Sequence, residues 1–176
     1  LRILGVGTLK EQKNFSLLLK AFNSLSANIR SKSQLVILGD GPLKENLLSE
    51  IKHYDLKNQI FLKGNVLETH PWYSSASLFV LSSSWEGFGN VLVEALECGT
   101  PIVSTDCKSG PSEILDNGRF GRLVPINDCE ALKNAIESSL AARHDPNTLK
   151  KRAQDFLISK ISLEYLNFFI KDISSK

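Results

Sequence analysis

The sequence predicts an α/β fold, a doubly wound parallel sheet of about six strands with helices on both faces. Three observations carry this. Apolar runs of strand length alternate with longer segments of helical period, the pattern of βα repeats. Turn residues follow the strand-like runs at Gly7–Lys13, Gly39-Asp40-Gly41-Pro42, Gly64-Asn65-Val66, Ser82–Asn90 and Thr105–Pro111. Nearly every glycine outside Gly5 and the C-terminal third sits in or beside one of these turns. In an open parallel sheet ligands bind at the carboxyl ends of the strands, so the clustering predicts a crevice along one rim.

Each element has its own warrant. Strands are predicted at Arg2–Val6, Leu35–Leu38, Ile60–Lys63, Leu78–Leu81, Pro101–Ser104 and Arg122–Val124. The first helix places Phe15, Leu18, Leu19, Phe22 and Leu25 on one stripe, and the second does the same with Leu43, Leu47, Leu48 and Ile51. The second is predicted to open after Gly41 with Pro42 in its first turn, where a missing N–H costs nothing. A short helix is predicted over Pro71–Ala76, and later ones over Asn90–Cys98, Pro111–Leu115, Asp128–Ala142 and Pro146–Phe156. Asn127 and Glu130 have the spacing of a capping box. The last apolar stretch, Ile161–Ile170, keeps its polar positions on one narrow stripe. At about one dozen residues it is too short to cross a bilayer and is expected to pack on the sheet or on a partner domain. No internal repeat or linker interrupts the chain, so residues 1–176 are read as one domain.

Composition narrows the function classes. A chain of 176 residues can bury about two-thirds of its unfolded surface. Hydrophobic residues at 42% and charged residues at 23% are ordinary for a globular domain. A net charge of +2 argues for neither nucleic acid nor a membrane surface. No segment approaches about 20 continuous apolar residues, and no signal-peptide pattern is visible. Cys98, Cys107 and Cys129 show no metal-ligand spacing and are read as free thiols of a reducing compartment. His53, His70 and His144 are scattered and form no metal pattern. The chain contains no methionine and opens directly on a strand-like run, Leu1–Gly7, so it is expected to be a piece of a longer polypeptide.

The most informative stretch is Glu86-Gly87-Phe88-Gly89-Asn90-Val91-Leu92-Val93-Glu94, which follows the fourth strand. A helix start lined by glycines offers bare backbone N–H groups to an anion, with the positive end of the helix dipole behind them. If the helix begins near Asn90, then Asn90, Glu94 and Glu97 share one face, and apolar residues cover most of the rest. A phosphate fits the N–H groups of Asn90 and Val91, while carboxylates accept hydrogen bonds from hydroxyls. The same spacing also describes a glycine turn followed by a solvated glutamate. Glu86 beside an anion site would repel a phosphate, so it is assigned to something neutral and hydroxylated.

Assembled in order, these pieces resemble the C-terminal, donor-binding domain of retaining glycosyltransferases of family 4, which have the two-domain GT-B architecture with Rossmann-like halves. The resemblance rests on Val6-Gly7-Thr8-Leu9 with Lys13-Asn14-Phe15, on Leu35 through Leu43, on Phe61-Leu62-Lys63-Gly64, and on Glu86 through Leu96. It continues through Cys98-Gly99-Thr100-Pro101-Ile102-Val103 and Gly110-Pro111-Ser112-Glu113-Ile114. It implies that Lys13 and Glu86 are catalytic, Lys13 neutralising the diphosphate of a UDP-, GDP- or ADP-sugar and Glu86 holding hydroxyls of the transferred hexose-type sugar. Glu94 would bind the ribose hydroxyls. Gly64, Asn65 and Val66 would border the base, and Gly7, Thr8, Gly39, Gly87, Phe88, Gly89, Asn90 and Val91 would complete the donor site. The resemblance further implies retention at the anomeric carbon, with no metal or other cofactor, in agreement with the lack of an Asp-x-Asp pair. It implies a glycan or lipid-linked acceptor held by an N-terminal domain outside this chain. The setting would be the cytoplasm or the cytoplasmic membrane face, with peripheral membrane association of the full protein.

One position departs from the family pattern. Thr8 stands where an arginine is usual, and threonine cannot replace a bidentate phosphate contact; Lys10, or a residue of the absent domain, is a candidate for the lost charge. Other readings stay open at this point. A nicotinamide dinucleotide-binding domain would use Gly5-Val6-Gly7 and Asp40, but GxGxxG fails because Lys10 stands at its third glycine. A non-catalytic nucleotide-binding module, or a phosphorylase or sugar-nucleotide synthase within the family, fits the same residues.

Overall fold

Strands with no polar face decide the architecture. Leu35, Val36, Ile37 and Leu38 are all buried, as are Leu78, Phe79, Val80 and Leu81, and such strands need helices on both sides. The computed structural model describes residues 1–162 and Leu166. Its six-stranded sheet has the order β3-β2-β1-β4-β5-β6, and every pairing is parallel. The strands are β1 Arg2–Val6, β2 Gln34–Leu38, β3 Ile60–Leu62, β4 Leu78–Leu81, β5 Ile102–Thr105 and β6 Arg122–Val124. The helices are α1 Phe15–Asn23, α2 Ala27–Arg30, α3 Lys44–His53, α4 His70–Ser74, α5 Asn90–Cys98, α6 Pro111–Ile114, α7 Cys129–Ala141 and α8 Pro146–Ala153.

Alternate strand residues feed two separate apolar layers. Ile3, Leu35, Ile37, Leu78 and Val80 pack with Phe15, Leu18 and Phe22 of α1, Leu47 of α3 and Ile136 of α7. Leu4, Val36, Leu38, Phe79 and Leu81 pack with Tyr73 of α4, Leu92 and Leu96 of α5, Ile114 of α6 and Leu149 of α8. The chain leaves β1 toward β2 and leaves β4 toward β5, yet β1 and β4 are paired through Ile3↔Leu78 and Leu4↔Phe79. The loops after these two strands therefore diverge and open a crevice between them.

The predicted elements recur with instructive differences. α3 starts at Lys44, beyond Pro42; the chain first turns, with Leu43 N–H donating to the Leu9 carbonyl at 2.9 Å. Leu48 is 42% exposed, because Leu47 and Ile51 already fill the stripe that meets the sheet. α7 is capped by Asp128, whose carboxylate accepts from Ala131 N–H at 2.8 Å. Asn127 takes a left-handed φ of 59° and accepts from the Asn14 amide instead, so the Asn127–Glu130 capping box does not form. α2 and a 3-10 turn at Glu11–Lys13 were beyond prediction, since each is too short to show a period. Apart from Ile161, Ser162 and Leu166, the apolar stretch expected to pack as a final helix lies outside the described residues.

Gly39 is held where no side chain fits. Its φ is +136°, and a β-carbon would sit 2.0 Å from the Gly7 carbonyl oxygen. Gly39→Ala is expected to cost about 3 kcal/mol or more of folding stability. Gly87→Ala, whose β-carbon meets nothing within 4 Å, is expected to stay within about 0.5 kcal/mol. Urea midpoints of the two variants check both values.

Candidate functional site

The site is built from the loops that follow β1 and β4. After β1 the chain makes a 3-10 turn at Glu11–Lys13 and enters α1 through Asn14, which is left-handed at φ 45° and accepts from Leu17 N–H. After β4 comes Ser82-Ser83-Ser84, and backbone geometry stitches the loops together. Ser84 N–H donates to the Gln12 carbonyl at 2.8 Å, and the Ser82 hydroxyl donates to the Lys13 carbonyl at 2.8 Å.

Across this seam Lys13 Nζ meets Glu86 Oε1 at 2.6 Å, with the two side chains only 13% and 6% exposed. The Ser83 hydroxyl donates to the same carboxylate oxygen at 2.6 Å. The Gln12 amide reaches Glu86 Oε2 at 3.5 Å and the Trp85 carbonyl at 2.9 Å. A buried pair offsets its desolvation only when further hydrogen bonds satisfy its remaining positions, and here they do so for Glu86. The alkyl stem of Lys13 lies over Gly7, where a β-carbon would sit 2.9 Å from Cε. The two residues assigned separate catalytic roles thus form one ion pair.

α5 begins beside that pair. Its N-cap, Gly89, is left-handed at φ 94°, no side chain caps the helix, and no acid lies in its first turn. A β-carbon on Gly89 would come 3.9 Å from Glu86 Cγ. The first N–H groups of the helix, those of Asn90 and Val91, therefore start close to Glu86 and free of a side-chain cap. Asn90 and Gly87 are exposed, and Val91 is half-buried. The Phe88 ring packs on Phe156 with centroids 5.8 Å apart, which makes it a core contact.

A second group gathers on the β2 side. Val6, Gly7, Thr8, Leu38, Gly39, Asn65, Val66 and Thr69 line one hollow of about 180 Å³. Gly64 shapes it through its carbonyl, which accepts from Gly39 N–H at 2.8 Å. Lys10 does not border this hollow; with Phe15, Leu43 and Leu47 it lines a different one. Lys10 and Thr8 nonetheless share one turn, with Lys10 N–H donating to the Thr8 carbonyl at 2.8 Å. Glu94 is half-buried on α5, four residues after Asn90, and lies beside the Tyr73 hydroxyl; burial, and then the Glu94 charge, push the ionisation of that phenol far up.

Thr69, Ser83 and Gln12 are the residues that sequence reasoning missed. Ser83 had a faint signal, the serine run closing a strand; Thr69 had only its place before the His70-Pro71 helix start. Asp40 is occupied otherwise, accepting from Gly41 N–H and Lys44 Nζ, each at 2.8 Å. The Lys44 hydrogen bond, and then that of Gly41, hold its carboxyl below the usual range. Two of its acceptor positions are thereby taken. The Cys107 thiol is buried near Glu86 and pushed up, chiefly by burial. Among the described residues, no cluster of three or more His, Cys, Asp or Glu side chains is arranged to hold a metal ion. Among them, too, no helix is long and apolar enough to cross a membrane.

The fold has close counterparts among solved structures. A lipopolysaccharide outer core galactosyltransferase, WaaB in its apo form, superposes with a TM-score of 0.85 at 22% identity, over 97% of this chain and 49% of that one. A mutant of S. aureus TarM in complex with fondaparinux, alpha-GlcNAc-glycerol and UDP also gives 0.85 at 22% identity, over 95% and 35% of the respective chains. In sequence, the chain is 34% identical over 172 residues to a Campylobacter jejuni transferase. That protein is an N-acetylgalactosamine-N,N'-diacetylbacillosaminyl-diphospho-undecaprenol 4-alpha-N-acetylgalactosaminyltransferase. The alignment covers 96% of this chain and 46% of that protein, so the chain spans about half the length of such relatives. Residues 1–156 match the family described as Glycosyl transferases group 1, and by that match the chain belongs to the group 1 glycosyl transferases.

Proposed function

We propose that this chain binds the nucleotide diphosphate sugar donor of a retaining glycosyltransferase that builds a glycan or glycolipid. The observation that carries the reading is the Lys13–Glu86 pair set against the uncapped start of α5 at the switch point of the sheet. The diphosphate docks on the N–H groups of Asn90 and Val91 and draws Lys13 toward it. Glu86, released from part of its ion pair, then accepts hydroxyls of the sugar. Glu94 accepts the ribose hydroxyls, and the hollow bordered by Asn65, Val66 and Thr69 receives the base.

As the glycosidic bond breaks, charge grows on the leaving diphosphate. Lys13 and the α5 N–H groups already point at that charge, so they stabilise it without a metal ion. The anomeric outcome is retention, in keeping with the family 4 resemblance. Relatives named as N-acetylgalactosaminyl and lipopolysaccharide core transferases support a hexose or N-acetylhexosamine as cargo. UDP in solved relatives supports a uridine nucleotide among the candidates to test first. The acceptor binds to a domain outside this chain, and the whole enzyme works in the cytoplasm or against the cytoplasmic membrane face.

Calorimetric titration of the chain with UDP, GDP, ADP and NAD is the direct test; binding of NAD alone would overturn the reading. Glu94→Ala should weaken nucleotide diphosphate binding by about tenfold to a hundredfold, the worth of hydrogen bonds to a charged acceptor. Glu86→Ala should leave that affinity within about threefold, because it frees Lys13 for the phosphate, while transfer by the full-length enzyme falls by about a hundredfold or more. Equal losses of affinity in the two variants would contradict the separate roles. A further contrast tests the Thr8 departure. Thr8→Arg should tighten the diphosphate by about tenfold through a bidentate contact, and Lys10→Ala should change it by less than about twofold. A large loss in Lys10→Ala would show that the lysine does replace the arginine.

A further inference from the structure

Tyr73 is the buried polar group that the proposed chemistry leaves unused. Its side chain is fully buried in α4, its ring lies 5.3 Å from that of Phe79, and its carbonyl accepts from the Thr100 hydroxyl at 2.8 Å. Phenylalanine would make the same ring contacts. The hydroxyl has no hydrogen-bond partner among the described residues, and a buried O–H with nothing to donate to is costly to keep. The neighbouring helix brings an acceptor to this side: Cys98 Sγ, one turn after Glu94, reaches the His70 carbonyl of α4 at 3.9 Å, which sets the Glu94 carboxylate against the same short helix, where its charge acts on the phenol. Tyr73 packs in the same layer as Leu92, Ala95 and Leu96, so α4 holds the phenol against the helix that carries Glu94. Burial and that adjacent negative charge also keep the phenol protonated. It can only donate.

The position along α4 adds a second link. Thr69, the N-cap of α4, lines the hollow assigned to the base, and Tyr73 follows four residues later on the same face. One short helix thus borders the base with its first turn and meets the ribose acid with its next.

We infer that Tyr73 is a positioning residue for the ribose of the donor: its hydroxyl donates to Glu94 and turns that carboxylate so that both oxygens face the vicinal 2′- and 3′-hydroxyls. This rests on the donor-binding reading of Glu94. The carboxylate has about four lone-pair sites, so it can accept the phenol and two ribose hydroxyls together. Rotation of the Glu94 side chain closes the phenol bond, and the ligand's own hydroxyls hold the rotated form. The device gives the site a preference for ribonucleotides over 2′-deoxyribonucleotides, which a lone solvated glutamate with free rotamers would read less sharply.

The test uses Tyr73→Phe and Glu94→Ala, each titrated with UDP and 2′-deoxy-UDP, or with whichever nucleoside diphosphate the unaltered chain binds. The unaltered chain should favour the ribo form. Tyr73→Phe should weaken the ribo form by about fivefold and leave the deoxy form within about twofold, shrinking the preference. Its melting temperature should be equal or higher, since an unmet hydroxyl is gone and the ring contacts remain. Glu94→Ala should abolish the preference, and adding Tyr73→Phe to it should change nothing further. An undiminished ribo preference in Tyr73→Phe, alongside its loss in Glu94→Ala, would overturn this inference and leave the donor reading intact. An unchanged preference in Glu94→Ala would overturn the ribose role of Glu94 and this inference with it. Should Tyr73→Phe not fold, fluorinated tyrosine at position 73 gives the same readout, because a more acidic phenol donates more strongly and should sharpen the preference; no change would overturn the inference.

Discussion

The Lys13–Glu86 ion pair joins the loop after β1 to the loop after β4, and the shape of the rim depends on it. Two hydroxyl-bearing or amide side chains, Ser83 and Gln12, complete the shell of the carboxylate, while Ser82 and Ser84 tie the two backbones together on either side. Removing one member of such a buried pair leaves the other uncompensated, which costs more than the pair itself contributes. The two charges of the site therefore neutralise each other. Under the proposed function, a diphosphate would supply a replacement anion for Lys13, and only then would Glu86 be free to act on a neutral, hydroxylated guest. Binding and readiness for chemistry would then be one event.

The same crevice lies where backbone constraint is greatest. Gly39 is pressed against the Gly7 carbonyl, and Gly64 pairs with Gly39. Gly89 starts α5 in a conformation that leaves the helix N–H groups uncovered. The two contacts bring the loops after β1, β2 and β3 together, and the Lys13–Glu86 pair adds the loop after β4. Polar backbone is spent there on shaping a cavity, whereas the helices meet the sheet through aliphatic and aromatic side chains.

Much of this is legible in the sequence because it is local. Strand runs such as Leu78–Leu81 and the helix Asn90–Cys98 stand at the predicted bounds, since unbroken apolar runs and glycine brackets are short-range signals. The crevice itself is legible from glycines that follow strands. Where prediction failed, a partner distant in sequence decided the outcome. Asn127 looks like a cap until Asn14 takes its amide, and the cap passes to Asp128. Leu48 looks like core until Leu47 and Ile51 occupy the available stripe. The pairing of Lys13 with Glu86, and the meeting of Tyr73 with Glu94, join elements far apart in the chain. No period or spacing encodes such contacts.

The seam between β1 and β4 carries a kinetic consequence. The register pairs Ile3↔Leu78 and Leu4↔Phe79 join the two halves of the sheet there, while each half is otherwise assembled from strands that follow one another in sequence. Arg2 reaches the Ser77 hydroxyl across 75 residues, so this junction closes a large ring of chain before it gains any contact in return. Either half can begin to assemble from nearer neighbours, and the hollow lined by Val6 through Thr69 lies wholly within the first half. The Lys13–Glu86 pair needs both loops, so a chain that stalls before the junction closes has much of its hydrophobic interior but only one side of the crevice.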